Sequence, residues 1–155
     1  MRLLVRLLDF DGGELWHHES RVRVAPNASE VHFGVATREL LGSAAPEKVV
    51  FVADLLEGHR LVSRSLHYFV KTKDLALDDP HLRVEVTRDS ETHAVVKVSA
   101  SKLARAVRLS TDLPSGRFSD NYFDLLPGEE VAVDWQGRDL DRIGSIKAVS
   151  LRDAY

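Results

Sequence analysis

Hydrophobic and polar residues alternate with a period of two along much of the first half of the chain, the pattern of half-buried β-strands. Glycine-containing groups such as 9–13 and 57–58 separate the alternating segments and favour tight turns. Five strand-like segments at short spacing predict half or more of a β-sandwich. We expect one helical turn at 37–41, closed by Gly42, and strands at 3–9, 14–24, 30–35, 48–56 and 61–70.

A polar stretch without clear periodicity interrupts the pattern at 71–80, after which the period of two restarts. We place a first domain at 1–75, a linker at 76–81 and a second domain at 82–155. Residues 101–109 fit both a helical face and a strand, and we expect a brief turn at 101–103 and a strand from about Arg105. The expected fold is all-β, with two small immunoglobulin-like sandwiches in tandem. The other elements expected in the second domain are a turn at 113–116 and strands at 82–86, 94–99, 130–135 and 145–151.

Residues 117–129, Arg-Phe-Ser-Asp-Asn-Tyr-Phe-Asp-Leu-Leu-Pro-Gly-Glu, form the most informative segment of the chain. Its polar start predicts a turn, and the two aromatic residues after it predict a short strand with one ring inward and one outward. The Pro-Gly pair predicts a type II turn, because proline fixes φ at about −65° and glycine accepts the positive φ that follows. We expect the outward ring to contact another domain. The residues of this structural motif are Phe118, Ser119, Asp120, Asn121, Tyr122, Phe123, Pro127 and Gly128.

The second half of the chain resembles the C-terminal immunoglobulin-like domain of family 2 glycoside hydrolases of the β-mannosidase type. The resemblance rests on residues 82–86, 103–110, 118–129 and 149–155. The first half resembles the domain that precedes it in those enzymes, and the matching residues there are 5–12, 15–16 and 63–75. Together the matching segments extend over nearly the whole chain.

This resemblance implies the non-catalytic C-terminal part of an enzyme that hydrolyses terminal β-D-mannose residues. In such enzymes two sandwiches precede a catalytic (β/α)₈ barrel and two follow it, and the catalytic glutamates belong to the barrel. A barrel needs about 250 residues, so no position in these 155 residues receives a catalytic role. The expected partner is the barrel. The resemblance also implies one or two further strands before Arg2 in the first domain.

The carboxylate pairs of the chain do not predict a hydrolytic site of its own. A retaining glycosidase needs two carboxyl groups about 5–5.5 Å apart, but each pair lies at a predicted turn or linker, where carboxylates support local hydrogen bonds. The first pair also lacks the later ligands of a calcium loop, and the histidines lack metal-ligand spacing. We therefore expect no catalytic residue, metal or cofactor. The pairs are Asp9/Asp11, Asp78/Asp79, Asp120/Asp124 and Glu129/Glu130.

Composition removes several other classes of function. A net charge of −3 gives no basic face for nucleic acid, and no apolar run reaches the length of about 18 residues that predicts a membrane span. The absence of cysteine excludes disulfides and thiol chemistry, and it suits a cytoplasmic protein. We expect a cytoplasmic location.

Three functions remain. The favoured one is a structural pair of sandwiches that braces or caps the barrel. The alternative is an independent carbohydrate-binding module, which the low aromatic content of 7% disfavours, and a self-sufficient enzyme is the third. We also expect a two-fold homodimer through the N-terminal half, provided that 3–8 or 48–56 forms an open sheet edge or leaves an apolar face uncovered.

Overall fold

The computed structural model describes residues 1–112, 115–138 and 146–154. The chain divides into two compact units, Met1–Ala76 and Leu77–Tyr155. The expected all-β class is confirmed, because antiparallel strands build the sheets of both units. No helix in the described ranges is long and apolar enough to cross a membrane.

The first unit contains one four-stranded antiparallel sheet with the order β2-β1-β3-β4. The turn between β1 and β2 forms because the Asp9 carboxylate accepts the backbone N–H groups of Asp11 and Gly13, at 3.0 and 2.7 Å. Gly58 supplies the positive φ of 61° in the turn between β3 and β4. The strands are β1 (Arg2–Asp9), β2 (Glu14–Arg21), β3 (Val49–Glu57) and β4 (Arg60–Tyr68).

Residues 22–36, which we call the strap, contain no strand, so the strand expected at 30–35 is wrong and β2 ends three residues earlier than expected. The alternation is real only in part, because Phe33 and Val35 are half-buried whereas Val31 is 91% exposed. Val35 packs against the buried cluster that includes Leu7, and the ring of Phe33 stacks on Phe51, so this part of the strap contacts the sheet through side chains. The helix after it, α1 (Thr37–Leu41), confirms the expected turn and is followed by Gly42 at φ 52°.

The two central strands of this sheet carry its core. Val5 and Leu7 of β1 and Val49, Val50 and Val52 of β3 are almost completely buried. Because β1 and β3 each pair on both sides, the expectation that either strand presents an open backbone edge is wrong. The strands with an outer edge in this sheet are β2 and β4.

A buried carboxylate ties three strands of the first unit together. Asp54 on β3 is 3% exposed, and it accepts hydrogen bonds from Arg6 on β1 at 2.9 Å and from Arg64 on β4 at 2.6 and 3.0 Å. The desolvated carboxylate is thus neutralised by charge-assisted bonds from both neighbouring strands.

The second unit contains two sheets, of four strands (β5-β6-β10-β8) and of three (β11-β7-β9). Buried residues from both sheets form one core, which is the arrangement of a β-sandwich. Leu113 and Pro114 of the expected turn at 113–116 lie outside the described residues, as does Ser145 of the expected final strand at 145–151. The strands are β5 (Arg83–Arg88), β6 (His93–Ser99), β7 (Ala104–Ser110), β8 (Gly116–Phe118), β9 (Phe123–Leu125), β10 (Glu130–Gly137) and β11 (Lys147–Val149).

A β-bulge explains why residues 101–109 fit two patterns. Ala106 has φ 49°, and the register with β9 shifts between Ala104 and Val107. The bulge inserts residues into β7 and breaks the alternation of buried positions. The expected turn followed by a strand is confirmed, with the strand starting at Ala104.

Trp135 of β10 is the largest fully buried side chain of the second unit. Two glycines leave room for its ring, since a Cβ atom at Gly116 would collide with the indole and one at Gly137 would lie 2.5 Å from it. These glycines are therefore required by packing.

Candidate functional site

The motif at 118–128 carries the chain from one sheet of the second unit to the other. Phe118 ends β8 opposite Trp135 of β10. Ser119 extends this pairing, because its N–H donates to the Asp134 carbonyl at 2.8 Å and its hydroxyl accepts the Asp134 N–H at 3.0 Å. The first part of the motif is thereby fixed to β10.

Asn121 acts as a side-chain substitute for a neighbouring strand. Its amide oxygen accepts the Leu109 N–H at 2.7 Å, and its amide nitrogen donates to the Leu109 carbonyl at 3.0 Å. Both backbone groups of a β7 residue are satisfied in this way. The Asp120 carboxylate in turn accepts the Asn121 N–H at 2.7 Å.

Tyr122 and Phe123 face opposite ways. Tyr122 has φ 62° and a side chain that is 67% exposed, and its N–H donates to the Val107 carbonyl at 2.8 Å. Phe123 is half-buried and packs against the core. The expected strand that includes both residues begins one residue later than predicted, at Phe123.

The predicted type II turn at Pro127-Gly128 is confirmed. Gly128 has φ 78°, and the Glu129 N–H donates to the Leu126 carbonyl at 3.0 Å. The turn is joined to the end of β6, because the Gly128 N–H donates to the Ala100 carbonyl at 2.8 Å. The polar side chains of the motif thus serve mainly as hydrogen-bond partners of backbone groups.

The carboxylates singled out in the sequence support local structure. Asp124 accepts the Ala106 N–H of the β7 bulge at 2.7 Å, and Asp79 accepts the His81 N–H at 2.8 Å. Asp78 pairs with Lys102 at 3.0 Å. Glu129 accepts the Leu126 N–H at 3.1 Å, and Glu130 pairs with Lys97 at 3.2 Å.

Across 1–112, 115–138 and 146–154, no group of three or more His, Cys, Asp or Glu residues is arranged to hold a metal ion.

His93 on β6 lies between two carboxylates. One ring nitrogen is 2.6 Å from Asp89 and the other is 3.0 Å from Asp134. The hydrogen bond to Asp89 is the main cause that raises the pKa of His93 above its ordinary value of 6.5; desolvation opposes it, and the bond to Asp134 adds to it. A protonated His93 therefore links β10 to the turn that precedes β6.

The first unit contains a groove of about 310 Å³ between the sheet and the chain that follows β2. Its floor consists of two cross-strand pairs, Phe51 with His67 and Ala53 with Ser65, which share one face of β3 and β4. Its other lining residues are Phe33, Gly34, Val35, Thr37, Leu40 and Phe69.

Two groups of aromatic rings line this groove. Phe33 stacks on Phe51 with ring centroids 6.5 Å apart and on His18 at 5.0 Å. In the second group, His67 and Phe69 meet edge-to-face at 5.1 Å. Sequence reasoning did not identify Phe33 and Phe51 as neighbours in a groove. The signal in the sequence was the period of two in the segments that contain these residues. That the two rings meet depends on the strap crossing the sheet, which periodicity does not reveal.

Comparison with known families and structures follows the same division of the chain. Residues 77–155 match the family model of the mannosidase Ig-fold domain, and residues 1–74 match that of the mannosidase Ig/CBM-like domain. The comparison with curated proteins finds no match.

Two solved structures illustrate the likeness in fold. A β-D-mannosidase from Dictyoglomus thermophilum is 13% identical, with a TM-score of 0.66 over 97% of this chain and 18% of that one. An exo-chitosanase from Amycolatopsis orientalis is also 13% identical, with a TM-score of 0.51 over 96% of this chain and 23% of that one. The chain thus spans about a fifth of the length of these enzymes.

Proposed function

Since the chain belongs to the family of mannosidase-type immunoglobulin-like domains, we propose that it is the non-catalytic accessory region of a β-mannosidase-type glycoside hydrolase. In this role it braces or caps the catalytic barrel, which is its main partner. The parent activity under this proposal is the hydrolysis of terminal β-D-mannose residues.

The observation that carries the proposal is the use of the polar motif residues. Ser119, Asn121 and Asp124 bond backbone groups of β10 and β7 within the second unit. A catalytic segment leaves its acid and base side chains directed toward a substrate. A segment whose polar side chains fix two sheets to each other supplies a rigid body instead.

Tyr122 is the residue we propose for the contact with the barrel. A non-glycine residue at positive φ costs of order 1–3 kcal/mol and is held there by surrounding structure. Here the cost places an aromatic ring outward, 67% exposed. Tyrosine is enriched in the central part of protein interfaces.

The first test is enzymatic. We expect the purified chain to show no turnover of a chromogenic β-mannoside, because no catalytic carboxylate pair is assigned within it. Turnover above a mock purification that is abolished by replacing one of its carboxylates would contradict the proposal.

The second test uses the isolated catalytic barrel of a β-mannosidase-type glycoside hydrolase. We expect that barrel to retain activity longer on heating when this chain is present, since binding to the native state stabilises it. Tyr122→Ala should weaken the association, and Val31→Ala, which truncates a 91% exposed residue of the strap, is the matched control. Equal heat inactivation with and without the chain would refute the accessory role.

A further inference from the structure

We propose that the groove of the first unit, lined by Phe33, Phe51, Ser65, His67 and Phe69, is a binding site for a neutral pyranose sugar. This role goes beyond bracing a barrel and does not depend on it. Small-molecule sites are concave, mostly apolar and supplied with a few convergent polar groups. The groove has each of these properties, and its volume of about 310 Å³ lies at the small end of their range.

The hollow exists because of small residues in particular places. Ala53 and Ser65 lie side by side on adjacent strands, with Phe51 and His67 as the next pair on the same face. The short side chains leave a depression beside the larger rings. Gly34 opens it further, since a Cβ atom built there meets no atom within 4 Å.

The lining matches both the apolar face and the hydroxyl-bearing rim of a pyranose ring. One face of such a sugar carries several C–H groups and is apolar, and the rings of Phe33, Phe51 and Phe69 offer apolar surface to it. The rim of the sugar carries hydroxyl groups that both donate and accept. The hydroxyls of Ser65 and Thr37 and the imidazole of His67 have the same double capacity.

Charge narrows the class of ligand. None of the described residues that line the groove is Asp, Glu, Lys or Arg. An ionised sugar would lose hydration on entering without gaining a counter-charge, which costs more than the burial of hydroxyls that find partners. The site therefore favours a neutral hexose over a uronate or an amino sugar.

The test is an NMR titration of the full chain with methyl β-D-mannopyranoside. We expect shifts that saturate and lie at residues of the groove. Ser65→Val removes one hydroxyl and should weaken binding by roughly 10-fold, the effect of leaving a buried sugar hydroxyl without its partner. Ser63→Val, on the same strand and face but outside the groove, is the matched control and should bind as the wild type does.

A second variant keeps the test decisive if the first one folds poorly. Gly34→Leu directs a side chain into the open space and should abolish binding while the other resonances stay in place. D-Glucuronate and D-glucosamine should bind more weakly than the neutral sugar. Unchanged affinity in Gly34→Leu, or shifts located elsewhere, would overturn the inference.

The competing occupant is protein. If Gly34→Leu alters self-association or the association with the barrel but no sugar binds the wild type, the groove is a protein contact and the inference is wrong. The barrel experiment with Tyr122→Ala tests the second unit, whereas the sugar titration tests the first. Failure of the sugar site and failure of the accessory role therefore give different results.

Discussion

At the scale of single residues, the motif at 118–128 shows which local features the residue types alone predict. Residue types were enough to predict the turn at Pro127-Gly128 and the opposite facing of Tyr122 and Phe123. They did not reveal that the Asn121 side chain replaces a strand neighbour of Leu109. That role depends on two segments meeting in space, and no local propensity encodes it.

The two aromatic residues of the motif give a matched pair of substitutions. Phe123→Ala should lower the free energy of unfolding by about 3 kcal/mol, the low end for removing a buried phenylalanine, because the ring is half-buried against the core. Tyr122→Ala removes a ring that is mostly in solvent and should change it by less than about 0.5 kcal/mol. Urea denaturation of both variants measures this, and equal losses would show that our assignment of the inward ring is wrong.

His93 predicts a pH dependence with a definite sign. Its pKa is raised in the folded state by Asp89 and Asp134, so the protonated form stabilises the fold. That contribution is complete below the unfolded value of about 6.5 and is lost as the pH rises through the raised folded-state pKa. The stability advantage of the wild type over His93→Gln should therefore shrink as the pH rises across this window.

Urea midpoints at a series of pH values measure that difference. His59→Gln, an exposed histidine in the turn between β3 and β4, serves as the control for a general effect of losing an imidazole. A gap between wild type and His93→Gln that widens with pH would contradict the assignment.

At the scale of elements, the sequence predicted strands well where a partner strand exists. Periodicity located β1, β3, β4 and β6, and it placed β7 to within one residue despite the bulge at Ala106. It failed at 30–35, since alternation reports which side chains turn inward and not whether the backbone finds a neighbour. Strand order also escaped prediction, because register and order depend on contacts between distant segments.

Packing around Trp135 supplies the prediction at this scale. Gly137→Ala should destabilise the second unit by about 1–3 kcal/mol, because the new methyl group meets the indole and the Ser115 carbonyl, both at 2.5 Å. Gly34→Ala, where nothing lies within 4 Å, is the matched control and should be close to neutral. Thermal midpoints compare the two, and a neutral Gly137→Ala would show that β10 moves easily to make room.

At the scale of the whole molecule, the family match assigns both halves of the chain to immunoglobulin-like domains of the mannosidase type. The polar groups of the motif hold sheets together, and the groove of the first unit is lined by neutral side chains. Both features are compatible with the accessory role that we propose. Composition argued only against nucleic acid as a partner. The motif 118–129, together with matching segments in both halves of the chain, pointed to this family from the sequence.

Self-association through the N-terminal half stays a prediction, and the structure moves it to a different strand. β1 and β3 are central in their sheet, whereas β4 lies at its edge and carries Leu61 and Val62 at 44% and 43% exposure. Exposed edges with apolar residues recruit a second copy, and a two-fold axis pairs β4 with itself. We expect light scattering to report a dimer that Val62→Lys converts to monomer, while Val24→Lys in the strap does not. A wild-type monomer would contradict self-association altogether. A dimer that survives Val62→Lys and dissociates with Val24→Lys would place the interface elsewhere than at β4.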